Sequence, residues 1–176
     1  MRQTILTVMI RIAFSAILLV ATFSSGFGEI SGSIKKFIDG NAETLKYEID
    51  NENLLCGREL YLFYVNRSCN PAWFTGNSFS NNGFDLLNYI RNVGQQGLQP
   101  SDYHLYLIEA YFKKMLSSAA TDTTDLMKLD VLLTDAFLIL GSHLYYGKVD
   151  PEIEGADWNM QRKDPELRLD LKLEEA

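Results

Sequence analysis

This 176-residue chain is short of the side chains that carry most enzyme chemistry, with two histidines and two cysteines. His104 and His143 stand alone, and neither lies at a zinc-binding spacing from a cysteine. Glycine-rich phosphate loops, dinucleotide fingerprints and the Gly-x-Ser-x-Gly nucleophile turn are also missing from the sequence. The sequence therefore predicts no cofactor and no metal site.

Positive charge is the second shortage. Sixteen Lys and Arg residues face 23 Asp and Glu residues, for a net charge of −7, and no basic cluster occurs. Proteins that bind nucleic acid present a basic patch or stripe to the phosphates. We therefore expect no nucleic-acid partner.

Long hydrophobic runs are scarce as well, since a membrane-spanning helix needs roughly 20 apolar residues. The apolar run Ile12–Phe23 has 12 residues, follows Arg2 and Arg11, and leads into small residues. A basic start, a short apolar stretch and a small-residue exit are typical of a secretory signal peptide. Residues 1–28 are thus predicted to be a signal peptide, cleaved after Gly26 or Gly28. An uncleaved membrane anchor is the alternative, because the residues before Arg11 are also apolar.

Export bears on how the two cysteines are interpreted. An even number of cysteines in an oxidising compartment favours a disulfide between Cys56 and Cys69, which would stabilise the fold by roughly 3 kcal/mol. Two free buried thiols are the alternative, and the sequence does not exclude them. A nucleophilic Cys56 would need a base beside it. No histidine is near it in sequence, so a structural role is predicted.

Apolar residues recur at intervals of three and four over much of the chain, which predicts a mostly α-helical fold. One or two short helices are expected before residue 55, a turn between Tyr64 and Trp73, and a loop at residues 75–83. Whether Leu60–Val65 is a helix or a strand is left open by the pattern. The predicted helical stripes are Phe84, Leu87, Ile90 and Val93; Leu105, Ile108, Phe112 and Met115; and Leu126, Leu129, Leu133, Ala136, Phe137, Leu140 and Leu144.

The strongest predicted helix carries polar residues in its apolar run. Buried polar groups need hydrogen-bond partners, so Thr134 and Asp135 are predicted to hold a neighbouring loop through its backbone. Asp130 and Asp135 are five residues apart and project in different directions, which argues against a catalytic carboxylate pair. Gly147 is the expected helix end, and Pro151 prevents continuation.

Other candidates have structural interpretations too. His104 lies at the start of the helix predicted from Pro100, where capping or packing is expected. Trp73 and Trp158 could stack on sugar rings, but a place in the core or in a seam is favoured. Residues 161–176 look like the start of a further helix that the chain end interrupts, so a truncated sequence is expected.

These features occur together in one arrangement. The relevant residues are Phe63-Tyr64 and Pro71-Ala72-Trp73, then Gly97-Leu98, Pro100 and Asp102-Tyr103-His104, then Leu132-Leu133-Thr134-Asp135-Ala136, Gly147-Lys148-Val149-Asp150-Pro151 and Trp158. In this order, over about residues 55–160, the chain resembles the N-terminal scaffold domain of the large periplasmic L,D-transpeptidases of Gram-negative bacteria. Neither cysteine belongs to that pattern.

The resemblance implies a compact helical scaffold domain with long loops at residues 29–160, following the signal peptide, in the periplasm or anchored to the inner membrane. It also implies structural roles for Tyr64, Trp73, Tyr103, Thr134, Asp135, Gly147, Pro151 and Trp158. In that family a peptidoglycan-binding module and a catalytic domain with a Ser-x-Gly-Cys motif follow. Leu55 precedes Cys56 here, so no catalytic residue is carried over.

The expected function is therefore that of a non-catalytic scaffold in a peptidoglycan cross-linking enzyme. Its expected partners are the missing catalytic and peptidoglycan-binding domains, with peptidoglycan itself as a further candidate. A stand-alone periplasmic binding or adaptor module is the alternative, and a short acyl-transfer enzyme using Cys56 is a distant third.

Overall fold

A computed structural model describes residues 25–76, 78–117 and 122–148 of the chain. These residues form α1 (Ser25–Gly40), β1 (Glu48–Ile49), β2 (Glu52–Asn53), α2 (Gly57–Asn66), β3 (Phe74–Thr75), β4 (Ser78–Phe79), α3 (Asn81–Asn92), two 3-10 turns (Val93–Gln96 and Pro100–Tyr103), α4 (Leu105–Ser117) and α5 (Thr123–Tyr146). The predicted mostly α-helical fold is confirmed. Residues 1–24 of the predicted signal peptide, Pro151, Trp158 and the helix predicted at 161–176 lie outside the described residues.

Helix α5 is the centre of the domain, because every other α-helix in the described part packs against it. Its residues are buried on nearly all sides from Asp125 to Leu140, as expected of a helix surrounded by protein. The Asp122 side chain caps its first turn, accepting a hydrogen bond from the Thr124 N–H at 2.9 Å. At the other end Gly147 adopts φ 84°, so the predicted helix end is confirmed.

The short elements before α2 are ordered by local geometry. In α1, the four-residue spacing of Ile30, Ile34 and Ile38 places three fully buried side chains on one face. Strands β1 and β2 then form an antiparallel hairpin whose two-residue loop has positive φ at Asp50 and Asn51. Positive φ at both loop positions matches the strand twist. This turn geometry therefore supports a hairpin with only four paired residues.

The segment that the sequence left open, Leu60–Val65, is part of helix α2. The predicted turn between Tyr64 and Trp73 is confirmed. Ser68 and Cys69 there have positive φ, and the Cys69 N–H donates to the Tyr64 carbonyl at 2.7 Å.

The loop predicted at residues 75–83 is wrong in part, since these residues include a hairpin and the start of α3. The reason is Phe79, whose ring packs 5.5 Å from Phe74, 4.9 Å from Phe84 and 5.3 Å from Phe112. Ser80 caps α3 by accepting the Gly83 N–H at 3.1 Å. Composition suggested a loop, but aromatic packing outweighs it.

Two helical predictions need correction. The helix expected from Pro100 is a 3-10 turn and a separate α4, and they meet at His104, where φ is 56°. Leu144 was placed in the core stripe of α5, but it is 50% exposed, because the last turns of α5 extend beyond the residues that cover its middle.

The predicted disulfide is absent, since both Cys56 and Cys69 are free thiols. Cys56 precedes α2, whereas the Cys69 N–H bonds to Tyr64, eight residues further along the chain. That stretch of helix is about 12 Å long. Cysteines that form a disulfide have their Cα atoms within about 7 Å, so α2 holds the two thiols too far apart.

Candidate functional site

The most unusual feature of the described residues is a set of polar side chains buried along α5. Asp130, Thr134 and Asp135 are all fully buried. Within the described residues, every fully buried side-chain nitrogen or oxygen has a hydrogen-bond partner. The partners form two groups, which we call the Asp130 cluster and the Asp135 cluster.

The Asp130 cluster consists of Asp130, Tyr64, Trp73, Thr134 and the backbone of Ala72. The Asp130 carboxylate accepts hydrogen bonds from the Tyr64 hydroxyl at 2.6 Å, from the Ala72 N–H at 3.0 Å and from the Trp73 N–H at 2.8 Å. Burial raises its pKa to about 6, although these hydrogen bonds act in the opposite direction. The carboxylate thus anchors the segment that follows α2.

Thr134 lies one helical turn after Asp130 and completes this cluster. Its hydroxyl accepts a hydrogen bond from the Trp73 ring N–H at 3.0 Å, donates to the Asp130 carbonyl at 2.9 Å and lies 2.8 Å from the Tyr64 hydroxyl. The sequence predicted that Thr134 would bind a backbone loop. Its partners outside α5 are instead two aromatic side chains, because Tyr64 and Trp73 bring their polar atoms into the core.

The Asp135 cluster consists of Asp135, His104, Glu52 and the backbone of Leu55 and Cys56. Asp135 accepts the Leu55 N–H at 3.0 Å and the Cys56 N–H at 2.8 Å. These two residues immediately precede α2, so the geometry is that of the predicted loop-holding role. A third contact, at 2.8 Å, joins Asp135 to His104 Nε2.

His104 therefore has a position that sequence reasoning missed. Its Nδ1 contacts Glu52 of β2, so one ring joins the hairpin to α5. Burial lowers the pKa of His104, but hydrogen bonds and charges from Asp135 and Glu52 outweigh burial, and the pKa is raised overall. In the sequence His104 is a lone histidine that follows Asp-Tyr. Nothing in this pattern identifies Glu52 or Asp135 as its partner.

A third set of contacts secures the far end of α5. The Tyr103 hydroxyl lies 2.9 Å from His143 Nδ1, with the two rings at an edge-on angle of 70°. Next to it Lys148 forms an ion pair with Asp102 at 2.6 Å. The 3-10 turn Pro100–Tyr103 thus contacts the last turn of α5 through Tyr103 and the residue just beyond the helix through Asp102.

Cys56 has the environment of an inert thiol. Burial, with contributions from the Asp135 and Glu59 charges, raises its pKa to about 12. A nucleophilic cysteine needs the opposite shift, toward the thiolate. In the described part of the chain, no group of three His, Cys, Asp or Glu side chains is arranged to hold a metal ion. Among the described helices, none combines the length and apolarity needed to cross a bilayer.

Comparison with protein-family models finds one match, to a family described as the Scaffold domain, over residues 58–174. No curated protein and no solved structure matches the chain. The matched range begins in α2 and includes α3, α4 and α5. It therefore contains Tyr64, Trp73, Tyr103, Thr134 and Asp135, together with Pro151 and Trp158 beyond the described residues.

Proposed function

The chain belongs to the Scaffold domain family, and on that basis we propose that it is the non-catalytic scaffold of an exported peptidoglycan L,D-transpeptidase. In this proposal the domain provides a rigid framework in the periplasm for the catalytic and peptidoglycan-binding domains. Cysteine acyl transfer belongs to the catalytic domain. The motifs that resemble the L,D-transpeptidase scaffold lie in the matched range, which supports the proposal.

The observation that carries the proposal is that the two buried carboxylates of α5 bind backbone N–H groups. Asp130 and Asp135 accept backbone N–H groups from the segments before and after α2, and both are fully buried, so they serve as anchors and are out of reach of a substrate. Networks that are fully satisfied make a core rigid and specify one arrangement. That property suits a domain whose task is to hold other domains in place.

A stand-alone binding or adaptor module is the second candidate, and exposed apolar side chains favour it. Tyr106 is 83% exposed at the start of α4, and Leu55 is 67% exposed just before α2. The Leu55 N–H is held by Asp135, and Tyr106 lies two residues after His104 of the same cluster. Exposed aromatic residues on a rigid support are typical of protein-binding surfaces.

The test is the peptidoglycan composition of the source cell with the gene deleted and then restored. We expect deletion to reduce the L,D cross-links in muropeptides measured by liquid chromatography and mass spectrometry. Restoration with the parent gene or with Cys56→Ser should return them equally, since Cys56 has no chemical role in the proposal. The 176-residue chain alone should form no such cross-links from purified tetrapeptide stems.

The alternatives give different results. Unchanged L,D cross-links after deletion would rule out the transpeptidase role and leave the adaptor. Loss of cross-links with Cys56→Ser alone, in a protein that folds normally, would instead indicate a catalytic thiol. The size of the native protein in periplasmic and membrane fractions, by immunoblot, separates a domain of a larger enzyme from a free module of at most 20.0 kDa.

A further inference from the structure

His104 is a titratable group that the scaffold function does not explain. It is 4% exposed and lies where the 3-10 turn meets α4. Each of its two ring nitrogens contacts a different carboxylate, Glu52 at Nδ1 and Asp135 at Nε2. These carboxylates belong to the hairpin and to α5, so the ring joins two elements that are distant in sequence.

The chemistry of imidazole makes these two contacts depend on one proton. A neutral ring has one N–H donor and one acceptor nitrogen, whereas the imidazolium ion has two donors. Two ionised carboxylates can both be satisfied only by the charged ring. In the neutral ring, one nitrogen would present a lone pair to a carboxylate oxygen, and that contact would be repulsive.

Among the described residues, His104 is the only cationic group paired with Glu52 and Asp135. Within the described residues, no Lys or Arg side chain forms an ion pair with Glu52 or Asp135. From the start of α2, the Cys56 thiol lies near Asp135 and stays neutral. On its own 3-10 turn, Asp102 is neutralised by Lys148, and on α4 Glu109 is neutralised by Arg91.

We propose that His104 is a proton-dependent clip, which in its charged form fastens β2 of the β1–β2 hairpin to α5 and on losing its proton releases that strand. Glu52 is the partner that separates, because its side chain is partly exposed and has water available. Asp135 is fully buried and also holds the Leu55 and Cys56 N–H groups. The contact to Asp135 therefore persists with either state of the ring.

Release would be local, since the tip of the hairpin has another attachment. Asp50 forms an ion pair with Lys128 of α5 at 2.6 Å and also contacts the Tyr111 hydroxyl. The part that is freed is thus β2 (Glu52–Asn53), between this tip and Leu55. Leu55 stays anchored, because Asp135 holds its N–H in either state of the His104 ring.

The shift of the His104 pKa agrees with this geometry and gives the sign of the effect. Burial is the largest single influence and lowers its pKa, but the hydrogen bonds and charges of Asp135 and Glu52 together outweigh burial, so the pKa is raised in the folded protein. The stabilisation is complete below the unfolded value of about 6.5 and is lost as pH rises through the folded value. Each unit of difference corresponds to about a tenfold change in the ratio of folded to unfolded protein.

The first measurement is the titration of both histidines by two-dimensional NMR of the ring nitrogens in the 176-residue chain. His143 is an internal reference, because burial and Lys148 lower its pKa. At pH 6.5, the ordinary pKa of a histidine, the larger part of His104 should be doubly protonated and the larger part of His143 neutral, because the two pKa values shift in opposite directions. The backbone amide signals of residues 52–55 should change with the same midpoint as the His104 ring.

The second measurement uses Glu52→Gln, with Glu48→Gln as its matched control. Glu48 is an exposed acidic residue of the same hairpin without an ion pair among the described residues. Glu52→Gln should lower the His104 midpoint and flatten the pH dependence of urea unfolding above about pH 6.5, whereas Glu48→Gln should leave both unchanged. The proposal is overturned if His104 titrates at or below 6.5 in the parent, or if the two variants behave alike.

This inference goes beyond the proposed function and is independent of it. It rests on contacts inside the domain, so it is tested on the purified chain. An NMR titration that contradicts the clip would not affect the transpeptidase proposal. Unchanged L,D cross-links in the muropeptide experiment would not affect the clip, which would then belong to a domain with another function.

Discussion

Asp130 and Asp135 lie five residues apart on α5 and hold opposite ends of the same helix, α2. Asp135 accepts the N–H groups of Leu55 and Cys56 before α2 begins, and Asp130 accepts those of Ala72 and Trp73 after it ends. Five residues of α-helix span about 7.5 Å and rotate by about 140°. The two carboxylates therefore point at different segments, and together they fix both the position and the direction of α2.

Replacing Asp135 by alanine should lower the free energy of unfolding by about 1–3 kcal/mol, because the Leu55 and Cys56 N–H groups lose their buried acceptor. Urea unfolding followed by circular dichroism measures the change. Asp85→Ala is the control, since Asp85 is exposed on α3 and should change stability by less than about 0.5 kcal/mol. An Asp135→Ala variant as stable as the parent would contradict the anchoring role.

Replacing Tyr64 by phenylalanine removes one hydroxyl from the Asp130 cluster and leaves the ring. We expect a loss of about 1–3 kcal/mol, since the hydroxyl donates to a buried carboxylate at 2.6 Å. Tyr61→Phe on the same helix is the control, because the Tyr61 side chain is only partly buried and makes no described hydrogen bond. Equal losses from the two variants would mean that the Asp130 contact contributes no net stability.

Gly57 should not tolerate a side chain. A Cβ atom there would overlap the backbone carbonyl oxygen of Leu45, which cannot move without displacing the chain before β1. Gly57→Ala is expected to cost about 1–3 kcal/mol in urea unfolding. At Gly94 a Cβ meets no heavy atom within 4 Å, so Gly94→Ala should be neutral or stabilising by about 0.4–1 kcal/mol. Similar behaviour of the two variants would refute the close approach at Gly57.

The two cysteines should behave as free thiols. Alkylation of the unfolded, unreduced chain should add two groups, measured by intact mass, because α2 separates Cys56 from Cys69. In the folded chain Cys56 should react slowly near neutral pH, since its pKa is about 12. A chain that takes up no alkylating agent until it is reduced would instead contain the disulfide first expected from the cysteine count.

The sequence predicts the parts of this structure that depend on spacing along one helix. The interval of three and four between apolar residues locates α5, and Gly147 marks its end correctly. A polar residue within an apolar run must find hydrogen-bond partners once it is buried. This is why the sequence predicts that Asp135 binds the backbone of a neighbouring segment. These patterns depend only on neighbouring residues in the sequence, so they can be interpreted without knowledge of the fold.

What the sequence did not predict depends on contacts between distant segments. Glu52 and His104 are 52 residues apart, and nothing in either neighbourhood points to the other. The sequence gives no partner for Asp130, although Thr134 follows it by one turn on the same face and shares Tyr64 with it. Phe79 lies among polar residues, and only the approach of Phe74, Phe84 and Phe112 orders its segment.

The last prediction concerns the ionisation of Asp130. Its pKa in the folded protein is about 6, because burial outweighs the hydrogen bonds that favour the carboxylate, whereas an unfolded aspartate has a pKa of about 3.9. Between these values the folded state binds more protons than the unfolded state. Stability due to this group therefore falls as pH rises from about 4 to about 6.

Asp130→Asn is the variant that reveals this effect, since asparagine has nearly the same shape and does not titrate. The stability of the parent relative to Asp130→Asn should decline as pH rises from about 4 to about 7, by about 3 kcal/mol for a shift of about two pKa units. Urea unfolding at several pH values measures both proteins, and the titration of His104, common to both, cancels in the difference. Parallel profiles would mean that Asp130 ionises as it does in the unfolded chain. If the parent instead becomes more stable relative to the variant as pH rises, the three hydrogen-bond donors outweigh burial and lower the pKa of Asp130. Asp130 would then be a carboxylate at every pH where the domain is folded.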